Sequence, residues 1–402
     1  MNVLLVSQNV ALGGAQRVVI NLAYYLKKFG HRVFIFSPHV DLKGVTKIAH
    51  KLNYISPNIP ILKKVGPSYK MLDNPVKLAV NLYRLRQQLK KVVKQSNIDI
   101  ISAHNPPSQW LASFLSVPMV WSCNEPIALW LSKKKEYFPL NIESPGFFKR
   151  CVEFFYEIVD YIIAHWGITK IVTLSQRTKS AVKALYHRDP EVCRVGVDFS
   201  FFAKGDGDSI RRQYNLEDTF VFLQTGHFNY EKNHKCSVEA FSFFKKLIRQ
   251  KTKLLFVGDG PLRKKIETLV NKLDLNKEVI SAGRVDEESL RDYYHACDCL
   301  LFPAFNQSWG LTPFEIMAAG KISIVSDDCG ASEVIGVQRI GFVTSPTHKN
   351  FAEMMEYVYN HPEECHERTI RGKKHVQEHL SYEHYSKKMM GIFEHILQRE
   401  KK

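Results

Sequence analysis

Two loops in the C-terminal half carry residues suited to holding an anionic ligand. The first, "QTGHFNYEKN", is opened by Gly226 and contains His227 and Lys232. It follows an apolar run that reads as a strand, and the carboxyl end of such a strand is the ligand side of an open α/β sheet. Lys232 can meet a phosphate there as a point charge. The bland alternatives are a solvated lysine and a structural histidine. The second loop lies in "FNQSWGLTPFEIMAAGKISIVS", Phe305 to Ser326. Cys299–Phe302 and Ile322–Val325 read as buried strands, and Thr312–Ala319 reads as a helix ended by Gly320. This is a βαβ unit whose turn holds Gln307, Ser308 and Gly310 and whose helix brings Glu315. Backbone N–H groups at such a helix start favour phosphate.

Other loops converge on the same edge. "LLFVGDGPLR" ends a strand with Gly258, Asp259 and Gly260, and "SAGRV" ends another with Gly283, Arg284 and Val285. Turn chemistry alone accounts for Gly and Pro in the first. In the N-terminal half, Gly13–Gly14 separate the first strand from the first helix, where a ligand can approach backbone closely. A tight turn without ligand is the alternative. The spacing is not G-x-G-x-x-G, which disfavours a nicotinamide enzyme. "AHNPPSQW" and "WSCNEPIALW" end two more strands and put His104, Asn124 and Glu125 at their tips. His104 can equally be structural, and Glu125, before a proline, can equally cap a turn.

The elements that position these residues alternate between strand and helix. "NVLLVSQ", "HRVFIFSP", "IDIISAH", "VPMVWSC" and "IVTLSQ" read as strands in the first half. Ala79–Val93 and Thr178–Leu185 read as helices between them. The pattern restarts near "RVGVD", with "TFVFLQTG", "TKLLFVGDG", "EVISAG", "CLLFPA" and "ISIVS" as five strands. The expected class is α/β: two doubly wound domains, 1–194 and 195–381, facing across a cleft, with a last amphipathic helix over 382–402. No run of 18 or more apolar residues predicts a spanning helix. "MNVLLVSQNVALGG" reads as a first strand rather than a signal peptide. The eight cysteines are scattered without metal spacing, and only Cys297 and Cys299 are close, as buried thiols on one strand face. A reducing cytoplasm is the expected setting.

The formal net charge is +16, and residues 1–200 hold 27 Lys and Arg against 12 Asp and Glu. So one-sided a basic excess points to an anionic partner such as lipid headgroups or a phosphate-bearing substrate. A nucleic-acid binder is disfavoured, because the basic stretches carry no recognised motif or stacking aromatic cluster.

Taken in order, these strings resemble the GT-B glycosyltransferases, specifically the large retaining family 4 that uses sugar nucleotides. "GGAQRVVINLAYYLKKFGHRV" is similar to the family's GGAERVVxxLAxxLxxxGHxV. "VGVDFSFF" resembles its NGVDxxxF boundary, "GDGPLR" is a frequent family string, and "GFVTSP" matches GFLVxP. "NQSWGLTPFEIMAAGKISIVS" aligns with E-G-F-G-L-x-x-L-E-A-M-A-x-G-x-P-V-I, so the E-x7-E signature falls on Gln307 and Glu315.

The resemblance covers nearly the whole chain. It implies two Rossmann-like domains, an N-terminal acceptor side and a C-terminal donor side, with the last helix returning to the N-terminal domain. It implies that Glu315 takes the nucleotide ribose hydroxyls. The backbone of Ser308, Trp309, Gly310, Leu311 and Thr312 would hold the donor diphosphate, with Lys232 and His227 opposite. Gly226, Asp259 and Gly260 would line the site, Arg284 and Val285 would border the base, and Gly13 and Gly14 would lie at the diphosphate and sugar. The expected donor is UDP- or GDP-linked and the acceptor a glycan or lipid-linked glycan. No metal or other cofactor is expected, and peripheral contact with an anionic membrane is.

Three positions depart from the family pattern. Gln307 replaces the first Glu, His227 the usual Arg, and Asn124 a frequent His of the acceptor wall. Gln can hold a sugar hydroxyl but carries neither charge nor a transferable proton. A neutral imidazole offsets diphosphate charge less than a guanidinium. These departures carry an alternative: a non-catalytic subunit of the same fold that binds nucleotide or glycan.

Overall fold

The computed structural model describes residues 1–11, 13–43, 45–65, 68–71, 75–124, 126, 147–248 and 250–400. The chain forms two compact units. One comprises Met1–Val65, Tyr69–Arg194 and Tyr382–Lys402, and the other chiefly Val195–Ser381.

In the first unit the order is β1 (Asn2–Ser7), α1 (Gly14–Lys28), β2 (Arg32–Phe36), β3 (Tyr54–Ile55), β4 (Leu62–Val65), β5 (Ser68–Met71), α2 (Pro75–Gln95) and β6 (Ile100–His104). Then come α3 (Ser108–Ala112), β7 (Met119–Ser122), α4 (Phe147–Trp166), β8 (Lys170–Thr173), α5 (Gln176–Tyr186) and β9 (Glu191–Val192). The main sheet is parallel in the order β3-β2-β1-β6-β7-β8-β9. Central strands such as NVLLVS are apolar almost throughout because helices cover both sheet faces. Leu78, Leu85 and Leu89 of α2, Leu111 of α3, Ile163 of α4 and Val182 of α5 share one core with Val6, Ile101 and Trp121 of the sheet.

The second unit runs α6 (Phe199–Phe202), α7 (Gly207–Gln213), β10 (Phe220–Thr225), α8 (His234–Leu247), β11 (Thr252–Val257), α9 (Arg263–Lys272), β12 (Val279–Ser281) and α10 (Glu287–Ala296). It continues with β13 (Cys299–Phe302), α11 (Thr312–Ala318), β14 (Ile322–Ser326), α12 (Ser332–Gln338), β15 (Phe342–Thr344), α13 (His348–Asn360) and α14 (Pro362–His379). Its parallel sheet is ordered β12-β11-β10-β13-β14-β15. β15 is a strand beyond the five read from sequence. Its three residues are too few to show a period, and only Phe342 is buried. Phe222, Phe241, Phe244 and Phe256 anchor the core on one sheet face.

The last helix, α15 (Tyr382–Glu400), belongs to the first unit and packs on α1. Tyr385, Met389 and Phe393 form its buried stripe. Lys388 Nζ donates to the Val192 carbonyl at 2.6 Å, which ties the helix to the edge strand β9. Cys297 and Cys299 are buried thiols, and burial pushes Cys297 up to about 12.

Both sheets have a switch point, where strand order reverses about a central pair. In the second unit it lies between β10 and β13, and in the first between β1 and β6. Loops leaving such a pair diverge to opposite sides and open a crevice at the carboxyl ends of the strands.

Candidate functional site

Lys232 follows β10 and Gln307 follows β13, the pair at the second switch point, and the two side chains meet there. Lys232 Nζ donates to Gln307 Oε1 at 2.6 Å and stands 5.2 Å from the Phe302 ring centroid. The local chain explains why the lysine points this way. Gln224, buried at the end of β10, donates to the Lys232 carbonyl at 2.6 Å. Asn229 Oδ1 accepts from the Lys232 amide at 3.0 Å. Asn233, in the left-handed region at φ 51°, caps α8 and donates its side-chain amide to Pro303 O at 3.1 Å. Both flanks of Lys232 are therefore fixed, and only its side chain remains to be placed.

Neighbouring strand ends are stitched to this loop. Gly226 N donates to Val257 O at 2.9 Å, and Gly258 N to Gly283 O at 2.8 Å. Gly258 sits at φ +142°, and a Cβ there would fall 1.9 Å from Gly226 O, so only glycine fits. Gly260 lies against Phe228 and His227, whose ring carbon would be 2.9 Å from an added Cβ. The loops after β10 and β11 thus interlock. Asp259 Oδ1 accepts from Gly260 N at 2.8 Å and faces Arg263 Nη1 at 3.8 Å. Its carboxylate therefore serves the turn and the start of α9. Arg284 is exposed and Val285 half-buried just beyond β12.

The Gln307 loop is held by the loop after β14. Gln307 N donates to Asp328 O at 3.1 Å, Gly330 N to Gln307 O at 2.9 Å, and Ala331 N to Trp309 O at 2.9 Å. Trp309 is 2 % exposed; its indole donates to Val195 O at 2.9 Å and stacks on Phe314. A ligand can meet Trp309 through its backbone, while its side chain belongs to the core.

Glu315 on α11 is 1 % exposed, and its Oε2 accepts from Tyr294 Oη at 2.7 Å. Tyr294, on α10, is itself buried. A carboxylate offers about four lone-pair sites, of which the phenol takes one. The spacing of motifs did not single out Tyr294, because its partner lies 21 residues away on another helix. Tyr294→Phe removes this bond and leaves the ring. It is expected to destabilise the second unit by about 0.5–1.5 kcal/mol and to lower nucleoside-diphosphate affinity a few-fold. Thermal melting together with calorimetry checks both; unchanged values in both would remove Tyr294 as the group that orients Glu315.

His234 opens α8 beside this cluster. It stacks on Phe228 at 3.9 Å between centroids. Burial first, then the charges of Lys232 and His227, push it down to about 3, so the ring is neutral.

In the first unit the residues singled out lie along the switch-point edge of its own sheet. Register places His104 beside Ser7 of β1 and Ser122 of β7, so these strand ends are level. His104 is 2 % exposed, bonded to Ser102 Oγ at 2.9 Å, and pushed down to about 4 by burial. It is a neutral ring held within its own strand, which favours the structural alternative. Gly13 precedes α1 and Gly14 is its first residue. A Gly13 Cβ would fall 2.5 Å from Gln16 Oε1, so the glycine lets Gln16 fold back and donate to Asn9 Oδ1 at 2.8 Å. Asn124 is half-buried beyond β7. Glu125 lies outside the described residues.

The chain matches two family models: Glycosyltransferase Family 4 over residues 12–201 and Glycosyl transferases group 1 over residues 206–375. It is 22 % identical to an alpha-1,3/1,6-mannosyltransferase of Dictyostelium discoideum, over 98 % of this chain and 97 % of that one. It is 21 % identical to the alpha-monoglucosyldiacylglycerol synthase of Streptococcus pneumoniae, over 95 % and 82 %. Among solved structures it is similar to Anabaena HepE in complex with UDP and glucose, with a TM-score of 0.77, 16 % identity and coverage of 98 % and 99 %. It is also similar to WaaG, a glycosyltransferase involved in lipopolysaccharide biosynthesis, with a TM-score of 0.74, 18 % identity and coverage of 96 % and 98 %. The fold is GT-B, two Rossmann-like domains with parallel sheets.

Proposed function

The chain belongs to the group 1 glycosyltransferases of family 4 and is a transferase; from that premise we propose that it moves a hexose-type sugar, with retention, from a UDP- or GDP-linked donor to a glycan or lipid-linked acceptor. The contact of Lys232 Nζ with Gln307 Oε1 carries this reading, because it sets a cation and a neutral amide at the switch point. UDP and glucose bound to HepE, a protein of the same fold, support a nucleotide-sugar donor.

In this reading the diphosphate lies against Lys232, with the Ser308–Thr312 backbone opposite, and Glu315 takes ribose hydroxyls. The bond between the anomeric carbon and the diphosphate oxygen breaks. The acceptor hydroxyl oxygen bonds to the same face, and its proton passes to the departing diphosphate. Lys232 stabilises the charge that develops there. No metal is invoked. Gln307 orients the sugar through its amide. The acceptor's membrane setting is supported by the basic excess of residues 1–200, and α2 would meet anionic lipid through Arg84, Lys90, Lys91 and Lys94. Arg86, read with them as a lipid-facing cation, instead turns to the chain and donates to Leu111 O at 2.9 Å. Lys133–Lys135, basic as well, lie outside the described residues.

A panel of UDP- and GDP-linked hexoses tests the donor class, read by thermal shift and by release of nucleoside diphosphate. At least one donor is expected to raise the melting temperature and to be turned over. Gln307→Ala is then expected to lower turnover by roughly 10²-fold and donor affinity much less, because orientation at the reacting carbon is lost. Absence of binding and turnover across the panel would overturn the donor assignment, and turnover indifferent to Gln307→Ala would remove that residue from the site.

A further inference from the structure

Over residues 154–166 the outward side of α4 is apolar where a solvated helix would be polar. Phe154, Phe155, Ile158, Ile162 and Trp166 are between 41 % and 65 % exposed and recur at three- and four-residue spacing. They form one stripe about 18 Å long at 1.5 Å per residue. Phe114, 56 % exposed, extends it at the α4 C-terminus: its ring lies 3.0 Å from where a Gly167 Cβ would stand, and its carbonyl accepts from Arg86 Nη2 of α2 at 3.4 Å. α2, α3, α4 and α5 pack into one core on one sheet face, so their outward sides form one surface. On that surface α2 adds exposed Val76, Val80 and Tyr83, interleaved with exposed Lys77 and Arg84. Its sequence, Pro75 to Gln95, contains no acidic residue.

We propose that the α4 stripe inserts into the interfacial region of an anionic lipid bilayer while the cations of α2 engage its headgroups. This rests on the headgroup contact proposed above for α2 and adds apolar insertion to it. The chemistry selects lipid over a second copy of this chain. A second copy would bring the same acid-free α2 against itself, whereas an anionic bilayer takes both the apolar stripe and the neighbouring positive charge. Aromatic rings at the two ends of a stripe suit an interface that is apolar below and wet above. No described helix is long and apolar enough to cross a membrane, and the stripe is one-sided.

The test is flotation of the full chain with vesicles of phosphatidylcholine alone or with one-third phosphatidylglycerol, at low and high salt, without donor. The wild type is expected to float with anionic vesicles. The triple variant Phe154→Ser, Ile158→Ser, Trp166→Ser is expected to bind at least tenfold more weakly while melting at the wild-type temperature. The pair Lys77→Gln and Arg84→Gln is expected to reduce the salt dependence. Tryptophan emission is expected to shift blue on binding, and less so in Trp166→Phe. Undiminished flotation of the triple variant overturns insertion while leaving the α2 contact standing. No flotation of the wild type overturns both, and so does a concentration-dependent dimer that ignores vesicles and is broken by the triple variant. No donor is present, so none of these outcomes bears on glycosyl transfer.

Discussion

Lys232→Ala is expected to weaken nucleoside-diphosphate binding by about 1.5–3 kcal/mol, roughly ten- to a hundred-fold, the usual loss for one hydrogen bond to a charged group. Glu315→Ala is expected to lose affinity in the same range through the ribose, with part of the effect arising from the Tyr294 hydroxyl left behind. The two variants should differ in salt dependence. In the proposed donor site Lys232 would meet the diphosphate as a charge, so its removal should flatten the fall of affinity with ionic strength, while Glu315→Ala should leave that slope intact. Gln307 sharpens the forecast. In this chain the group that residue 307 offers Lys232 is an amide, at 2.6 Å. Gln307→Glu would turn that contact into an ion pair that an incoming diphosphate must outcompete. Its affinity for nucleoside diphosphate should therefore fall several-fold even though the fold is kept. Calorimetry at two salt concentrations reads all three variants. Unchanged affinity in both Lys232→Ala and Glu315→Ala would sink the donor-site assignment.

The parallel sheets were legible because buried parallel strands are apolar throughout. NVLLVS, FVFLQT and CLLF stand out from any helical period. Tyr54–Ile55, Glu191–Val192 and Phe342–Thr344, of two or three residues, were not, because they owe their pairing to a neighbour rather than to a pattern. The loop positions of Lys232 and Gln307 could be read from turn chemistry after apolar runs. Their contact could not, since it joins residues 75 apart through the adjacency of β10 and β13. Burial was the other blind spot. Nothing in "AHNPPSQW" distinguishes an accessible His104 from the neutral ring bonded to Ser102, and nothing in "NQSWGL" shows that the Trp309 indole turns inward to Val195. The exposed stripe of α4 was hidden for the converse reason: an apolar helix between two strands reads as core until its neighbours are known.

Asp160 carries the other large expected effect. It is fully buried on α4 and collects three donors: Gln109 Nε2 at 3.1 Å, Trp110 Nε1 at 2.7 Å, and the Tyr186 hydroxyl. Those donors come from α3 and α5, so one carboxylate joins three helices on the same sheet face. Asp160→Ala strands two donors in the buried core, Gln109 and Tyr186, and a third, Trp110, at its edge, and a loss on the order of 3–5 kcal/mol is expected, since each unsatisfied buried group costs about 1–3 kcal/mol and some relaxation follows. Asp160→Asn keeps the shape and one acceptor oxygen and should cost less. The pH dependence has a definite sign. Burial raises the Asp160 carboxyl above its ordinary 3.8, and the hydrogen bonds from Tyr186, Trp110 and Gln109 oppose the rise. A carboxyl with a raised folded-state pKa holds its proton more tightly when folded. Its contribution to stability is therefore full below 3.8 and is lost as pH climbs through the raised value. Asp160→Asn cannot titrate, so the wild type should lose stability relative to it as pH rises from about 4 towards neutrality. Chemical denaturation at a series of pH values measures that difference. A gap that stays constant with pH would show that the Asp160 proton affinity is the same folded and unfolded, and a stability of Asp160→Ala within 1 kcal/mol of wild type would remove the three-helix anchor altogether.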